Sequence, residues 1–220
     1  KRYDLIMDEE ITIIDEKTRN EKIKNFFIKN KKFIFSGLAF ILLIVISFYS
    51  YQIYKDNHRQ LVSEKYNSAV IEYKSADKSK TVLLMREVIK EKDTTYSPLA
   101  LYFLIDNELL EDRNDVNSLF DILINKTSLE NEIKNLIIYK KALFNADAVD
   151  ENELLDLTKP ILNSNSVWES HTLYLVAEYF YSKNEKQKAK EFFNKILSLD
   201  NVNLDIKKEA QKRLNRDLSE

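Results

Sequence analysis

The chain of 220 residues has no cysteine, a single glycine and two prolines. Without cysteine there are no disulfides and no thiolate metal sites, a composition compatible with an oxidising compartment. The glycine, Gly37, and the prolines, Pro98 and Pro160, are too few for a sheet-rich domain, which needs turn residues at many positions. Glycine-rich phosphate loops and the nucleophile elbow both require glycine, so neither forms beyond residue 37. Histidine is nearly as scarce. His58 and His171 are the only two, and neither is followed by a carboxylate or histidine at metal-ligand spacing, which makes them surface or interface residues. Neither sign of charge dominates: 34 Lys and Arg stand against 36 Asp and Glu. With no basic patch, nucleic acid is not an expected partner. These absences predict an all-α chain with short polar connections, no cofactor and no small-molecule substrate.

What is abundant is apolar residues in one place. Residues 33–54 read FIFSGLAFILLIVISFYSYQIY without a charge. About 20 such residues, rising about 1.5 Å each, cross a hydrocarbon core of about 30 Å. The run, which includes Phe33, Gly37, Leu42, Val45 and Tyr54, is therefore a predicted transmembrane helix. A cleaved signal peptide is a poorer fit, because its apolar region is shorter, about 7–15 residues, and ends in small residues. This run ends in Phe48, Tyr49 and Tyr51. A buried core helix is the other alternative, disfavoured because no polar face interrupts the run. In the 15 residues before the run lie Arg19, Lys22, Lys24, Lys29, Lys31 and Lys32; in the 15 after it lie only Lys55, Arg59 and Lys65. Positive charge stays on the cytoplasmic side, so the N-terminus is expected inside and the large C-terminal part outside. Tyr49, Tyr51 and Tyr54 suit the outer interface. The expected organisation is a cytoplasmic tail at 1–32, the span at 33–54 and a helical domain at 55–220. Within the tail, Ile11, Ile14, Ile23, Phe26 and Phe27 either form an amphipathic helix on the inner membrane face or belong to a solvated, partly disordered segment. The basic residues beside Phe26 and Phe27 favour contact with anionic lipid.

The part after the span carries 25 Lys and Arg against 29 Asp and Glu, a formal balance of −4, and is of ordinary single-domain size. Apolar periodicity predicts helices at roughly 55–74, 79–91, 98–111, 115–125, 129–145, 151–163, 167–182, 185–198 and 204–216. Ser97 before Pro98 reads as a capped start with a first-turn proline. Thr127 with Glu130, Asp150 with Glu153, Ser166 with Glu169 and Asn184 with Gln187 have capping-box spacing. Pro160, inside an otherwise helical segment, should kink or shorten its helix. From residue 98 onward the helices are expected to pair as hairpins whose first members start near 98, 129 and 167. The steps of about 31 and 38 residues bracket the 34 of a tetratricopeptide repeat.

The clearest repeat is 173–201. Leu173, Val176, Ala177 and Phe180, then Ala189, Phe193 and Ile196, stand at that repeat's spacing. Ala177 and Ala189 leave room where two helices approach, and Phe180 and Phe193 fill the volume beside them. Asn201 stands where a proline is usual. Earlier repeats are degenerate: aligning Leu110, Leu119 and Leu123 with Phe180, Ala189 and Phe193 puts Asn107 at the first small position. The fold expected is thus a single span followed by a tetratricopeptide-like α-solenoid; the plainer alternative is a generic antiparallel helical domain.

With the anchor added, residues 20–216 resemble the YfgM-like family of membrane-anchored ancillary subunits of the bacterial Sec translocon. The resemblance rests on Leu154, Leu155, Pro160 and Ile161, on Ser166 and Trp168, on the repeat around Ala189 and Phe193, and on Ala210 and Leu214 in a last helix. It implies a single-pass protein of the bacterial inner membrane whose periplasmic scaffold contacts Sec translocon subunits, emerging chains or periplasmic chaperones. These are packing motifs, so they describe architecture better than activity.

Several residues invite sharper claims. Glu151, Glu153 and Asp156 cluster, as do Asp106, Glu108, Glu111 and Asp112, but beside helix starts such carboxylates are commonly solvated faces and dipole complements rather than acid–base pairs. No catalytic constellation emerges, and the protein is not expected to be an enzyme. Trp168 reads as a packing residue. Tyr174 and Tyr181, with Tyr179 beside them, fall off the core stripe of their helix and either bind peptide on the inner face of the array or pack against the neighbouring repeat. The leading expectation is a non-enzymatic, membrane-anchored adaptor. The alternative is a structural oligomer-former in envelope assembly or cell division, self-associating through its repeats or its span.

Overall fold

The computed structural model describes the backbone of residues 2–162 and 164–218, and side-chain surroundings from Thr18 onward. Among the described residues there are nine α-helices and no strand: α1 (Arg2–Lys74), α2 (Lys78–Lys90), α3 (Tyr96–Asp106), α4 (Arg113–Lys126), α5 (Asn131–Asn145), α6 (Glu151–Thr158), α7 (Glu169–Ser182), α8 (Lys186–Leu197) and α9 (Leu204–Asp217). The chain divides into two compact units, Lys1–His58 and Arg59–Glu220.

The first unit contains the apolar part of α1. This helix is long and apolar enough to cross a membrane, with a mean hydropathy of 2.4 over its best 18-residue window, none of which is buried. A core helix of a soluble domain would bury that window, so the buried-helix alternative does not describe it. In the preceding segment Ile23, Phe26 and Phe27 are helical and exposed. Ile11 and Ile14 have side chains outside the described residues.

The second unit holds two apolar clusters. The first gathers Val62 and Ala69 of α1, Met85, Val88 and Ile89 of α2, and Ala100, Leu101 and Leu104 of α3, closed by Phe120 and Leu123 of α4 and Ile137 of α5. The second gathers Ala142 of α5 and Leu154 of α6 with the buried faces of α7, α8 and α9. Helix α5 serves both, Ile137 on one and Ala142 on the other. A reciprocal amide pair crosses from α4 to α5. Asn117 Nδ2 donates to Asn145 Oδ1 at 2.9 Å, and Asn145 Nδ2 donates to Asn117 Oδ1 at 2.7 Å.

Close helix pairs form where the facing residues are small. Helix α7 lies closely on α8, and α8 on α9; α3 lies closer to α2 than to α4, contrary to the hairpin expected from residue 98. The reason is the face of α3. Ser97 and Ala100 are fully buried against α2, and Ser97 Oγ donates to the Val88 carbonyl at 2.7 Å. Ser97 is therefore a packing residue rather than a cap. The start of α3 is held by Asp93, whose carboxylate accepts from Thr95 N at 2.9 Å and Tyr96 N at 2.7 Å, and Pro98 sits in the first turn. Of the four capping boxes, only Asp150 with Glu153 forms, with both reciprocal bonds present. Thr127 instead turns back to donate to the Ile122 carbonyl at 3.1 Å, and α5 starts after Glu130. Ser166 Oγ accepts from Trp168 N at 3.2 Å, three residues before α7 begins, while Glu169 reaches Asn165 N at 3.0 Å. Asn184 has φ of 63° and ends α7 rather than starting α8. Pro160 follows the end of α6 at Thr158, so the proline shortens the helix expected to 163.

Scarcity of glycine shows at the helix ends. Ala76, Lys92, Glu108 and Asn184 adopt φ of 52–64° just past the ends of α1, α2, α3 and α7. At three of them the chain closes a Schellman motif. Asp77 N donates to Glu72 O, Leu109 N to Leu104 O, and Glu185 N to Phe180 O, at 2.9–3.1 Å. At such positions glycine bears no Cβ penalty, whereas a left-handed L-residue costs about 1–2 kcal/mol.

Candidate binding surface

The α7–α8 hairpin is the best-packed element pair and carries the repeat residues. Leu173, Val176, Ala177 and Phe180 recur at helical spacing on α7, and Ala189, Phe193 and Ile196 on α8; all seven are buried. Ala177 and Ala189 are fully enclosed, as close helix approach demands. Phe180 stacks on Phe192 with centroids 5.4 Å apart, and Tyr174 meets Phe193 edge-on at 5.5 Å. Tyr179 donates its hydroxyl to the Val149 carbonyl at 3.2 Å, tying α7 to the turn before α6. Lys188 of α8 reaches back to α6, bonding Glu151 at 2.6 and 2.9 Å.

Tyr174 and Tyr181 are half-buried and belong to the packing around the second cluster. Burial first, and Glu178 next, push the Tyr174 hydroxyl above its ordinary pKa. Over the Tyr181 ring lies the Arg213 guanidinium of α9, 4.4 Å from its centroid. That guanidinium also bridges Glu178 of α7 and, at 2.6 Å, Asp217 of α9. Hydrogen bonds from Arg216 and Arg213 hold the Asp217 carboxyl down at about 2. Packing against the neighbouring helices thus describes both tyrosines, each of which stays partly exposed.

Trp168 stacks on Tyr139 of α5 at 5.9 Å, and His171 packs against both rings. Beside them Glu132 accepts from Ser166 Oγ at 2.7 Å and Val167 N at 3.3 Å, fixing the loop before α7 onto α5. Two of the acidic residues that invited an acid–base reading have structural partners: Glu151 pairs with Lys188, and Glu153 completes the cap of α6. Among the described residues no three His, Asp or Glu side chains converge as metal ligands.

In the first unit, Phe33, Leu42, Val45 and Tyr54 are all exposed, Phe33 most of all at 82 %. A Cβ built at Gly37 meets nothing within 4 Å, so no close approach requires glycine there. Tyr49, Tyr51 and Tyr54 are exposed at the C-terminal end of the apolar run.

One concavity involves, of the residues the sequence singled out, Asp106 alone. It sits between α3, α4 and α5, has a volume of about 250 Å³, and is floored by Phe120 and Phe144 and walled by Tyr102, Ile105 and Leu143. Asp106 and Lys140 stand at its edge, the Lys140 ammonium 5.8 Å from the centre of the Tyr102 ring. Burial and the nearby Asp106 raise the Tyr102 pKa to about 12. Its hydroxyl is enclosed and has no hydrogen-bond partner among the described residues. Tyr102 and Asp106 are four apart on α3, and Lys140, Leu143 and Phe144 share one face of α5. The sequence shows these as ordinary helix faces, and only the three-helix contact reveals the gap between them.

No family model matches the chain, and neither a curated protein nor a solved structure matches it.

Proposed function

We propose that this protein is a membrane-anchored adaptor that binds other proteins through a tetratricopeptide-like helical array held at the outer face of a bacterial inner membrane. The observation that carries this reading is the combination of one helical apolar stretch with no buried residue and a separate unit of helices whose α7–α8 pair is built on Ala177 and Ala189. Further support comes from spacing. Helices α3, α5 and α7 begin at Tyr96, Asn131 and Glu169, steps of 35 and 38 residues close to the 34 of a tetratricopeptide repeat. The unit would then comprise two such hairpins, α5–α6 and α7–α8, with α9 as the capping helix, while α3 pairs with α2. The basic residues between Arg19 and Lys32 favour an N-terminus inside and a periplasmic array.

The partners we propose for such an array, on its resemblance to the YfgM-like family, are Sec translocon subunits and periplasmic chaperones. Proximity crosslinking in intact cells tests this, using photo-reactive residues at exposed positions of the α7–α9 face. Crosslinks to translocon or chaperone subunits are expected. Crosslinks confined to a second copy of the chain would replace the adaptor with a self-assembling envelope protein.

A further inference from the structure

We infer that Lys29, Lys31 and Lys32 form a collar around α1 that binds the phosphate headgroups of anionic phospholipids and enriches those lipids around the N-terminal end of the apolar run. This rests on the reading of residues 33–54 as a membrane span and gives that span a lipid partner.

Charge sets the class of partner. From Thr18 to Lys32 the basic residues Arg19, Lys22, Lys24, Lys29, Lys31 and Lys32 stand against one acidic residue, Glu21. All six basic side chains are exposed, and among the described residues none of them is in an ion pair. The second unit differs: Lys65, Lys141 and Lys188 each meet a carboxylate at 2.6–2.8 Å. The charge before the apolar run is therefore left for an anion from outside the chain.

Position then selects lipid. Lys32 directly precedes Phe33, and at about 1.5 Å of rise per residue Lys29 lies only about 6 Å from it along the helix. The polar layer on each side of a hydrocarbon core is about 5–7 Å deep, so Lys29, Lys31 and Lys32 stand among the headgroups. Lys24 and Lys22, about 13 and 16 Å from Phe33, lie beyond that layer but within a Debye length of about 10 Å of it. Arg19, about 21 Å away, lies outside both. A soluble polyanion would have to displace headgroups to reach the three nearest lysines.

Direction gives the geometry. At about 100° per residue, Lys31 and Lys32 stand about 200° and 300° around the helix from Lys29. A helix lying in the membrane plane needs its charges on one face. Lysines on all sides instead suit a helix standing upright through the headgroup layer, where each lysine meets a different lipid.

The test uses the full chain in vesicles of equal parts phosphatidylcholine and phosphatidylglycerol, with bromine on the acyl chains of one lipid or the other. Phe33→Trp puts a fluorophore beside the collar, and Tyr54→Trp puts one at the other end of the run. The parent chain, whose one tryptophan is Trp168, supplies the background. Bromine quenches tryptophan only at contact range, so the two series report which lipid neighbours each end. At about 0.01 M salt, Phe33→Trp should favour phosphatidylglycerol about fivefold, the effect of one basic residue near an anionic surface. The preference should vanish at about 1 M salt, where the Debye length is about 3 Å. Tyr54→Trp, where Lys55 is followed by Asp56, should show less than about twofold. Lys29→Gln, Lys31→Gln and Lys32→Gln together should abolish the preference at Phe33→Trp, and Arg19→Gln should leave it unchanged. Equal quenching of Phe33→Trp by the two lipids, an equal preference at Tyr54→Trp, or a preference untouched by the triple substitution would each overturn the collar and leave the span standing. Quenching of Phe33→Trp by neither lipid would overturn the span and the collar together.

Discussion

Phe193→Ala puts the packing of the α7–α8 hairpin to a quantitative test. Phe193 is fully buried, and its ring is met edge-on by Tyr174 at 5.5 Å. A buried phenylalanine removes about 150–250 Å² from water, which at about 25 cal/mol per Å² is about 4–6 kcal/mol gross. Ala177 and Ala189 already sit at the closest approach of the two helices and cannot swing in to refill the space, so the cavity persists. Measured Phe→Ala costs of about 3–5 kcal/mol are the appropriate expectation. For a unit of this size each kcal/mol moves the melting temperature by about 2–4 °C, so a fall of about 6–20 °C should follow. The assay is the loss of helical circular dichroism with temperature in detergent-solubilised full chain. Leu204→Ala is the control: Leu204 is 70 % exposed and should shift melting by less than about 2 °C. Equal small shifts for the two variants would refute the packing described for this hairpin.

Three further outcomes follow from other parts of the molecule. Glu108→Gly relieves a left-handed residue of about 1–2 kcal/mol of strain while adding about 0.4–1 kcal/mol of unfolded-state freedom, so denaturant unfolding should show a net gain of about 0–1.6 kcal/mol and no net loss. Asp217 has its folded pKa depressed to about 2, so its contribution is full above its unfolded value near 4 and is lost as pH falls toward 2; in Arg213→Gln with Arg216→Gln, acid unfolding followed by circular dichroism should lose that component between pH 4 and 2. Leu42→Arg puts a charge near the middle of the apolar run at a cost of about 2.5–3.5 kcal/mol, and the protein should shift from the membrane pellet to the alkaline-extractable fraction, whereas Gly37→Leu should remain in the pellet.

The helical class was legible because so little else was possible. With one glycine and two prolines, the chain has almost no means of turning a sheet, and the described residues form nine helices and no strand. The buried faces of α7 and α8 were legible for the same reason: Leu173, Val176, Ala177 and Phe180 keep a helical period, and burial follows period. Helix starts were harder. A Ser or Thr three residues before Glu marks a box only if the backbone turns there, and Thr127 and Ser166 found other partners in the Ile122 carbonyl and the Glu132 carboxylate. The ends of α1 and α2, at Lys74 and Lys90, fall within a residue of the expected 74 and 91 although Ala76 and Lys92 stand where glycine would have been the signal, whereas α3 ends at Asp106, before the left-handed Glu108 and short of the expected 111. The sites most dependent on tertiary contact were least visible. Helical period left Tyr174 and Tyr181 open between peptide binding and packing, and contacts with Phe193 and Arg213 favour packing, while the gap beside Tyr102 exists only where three helices fail to fill space together.

The central claim is a helical unit held outside a membrane by one span, and the absence of cysteine makes it directly measurable. Asn20→Cys and Gln187→Cys place single thiols at exposed positions on either side of the apolar run. A membrane-impermeant maleimide applied to intact spheroplasts should label Gln187→Cys at once and Asn20→Cys only after lysis. Labelling of Asn20→Cys in intact spheroplasts, with Gln187→Cys protected, would contradict the orientation and with it the proposed role.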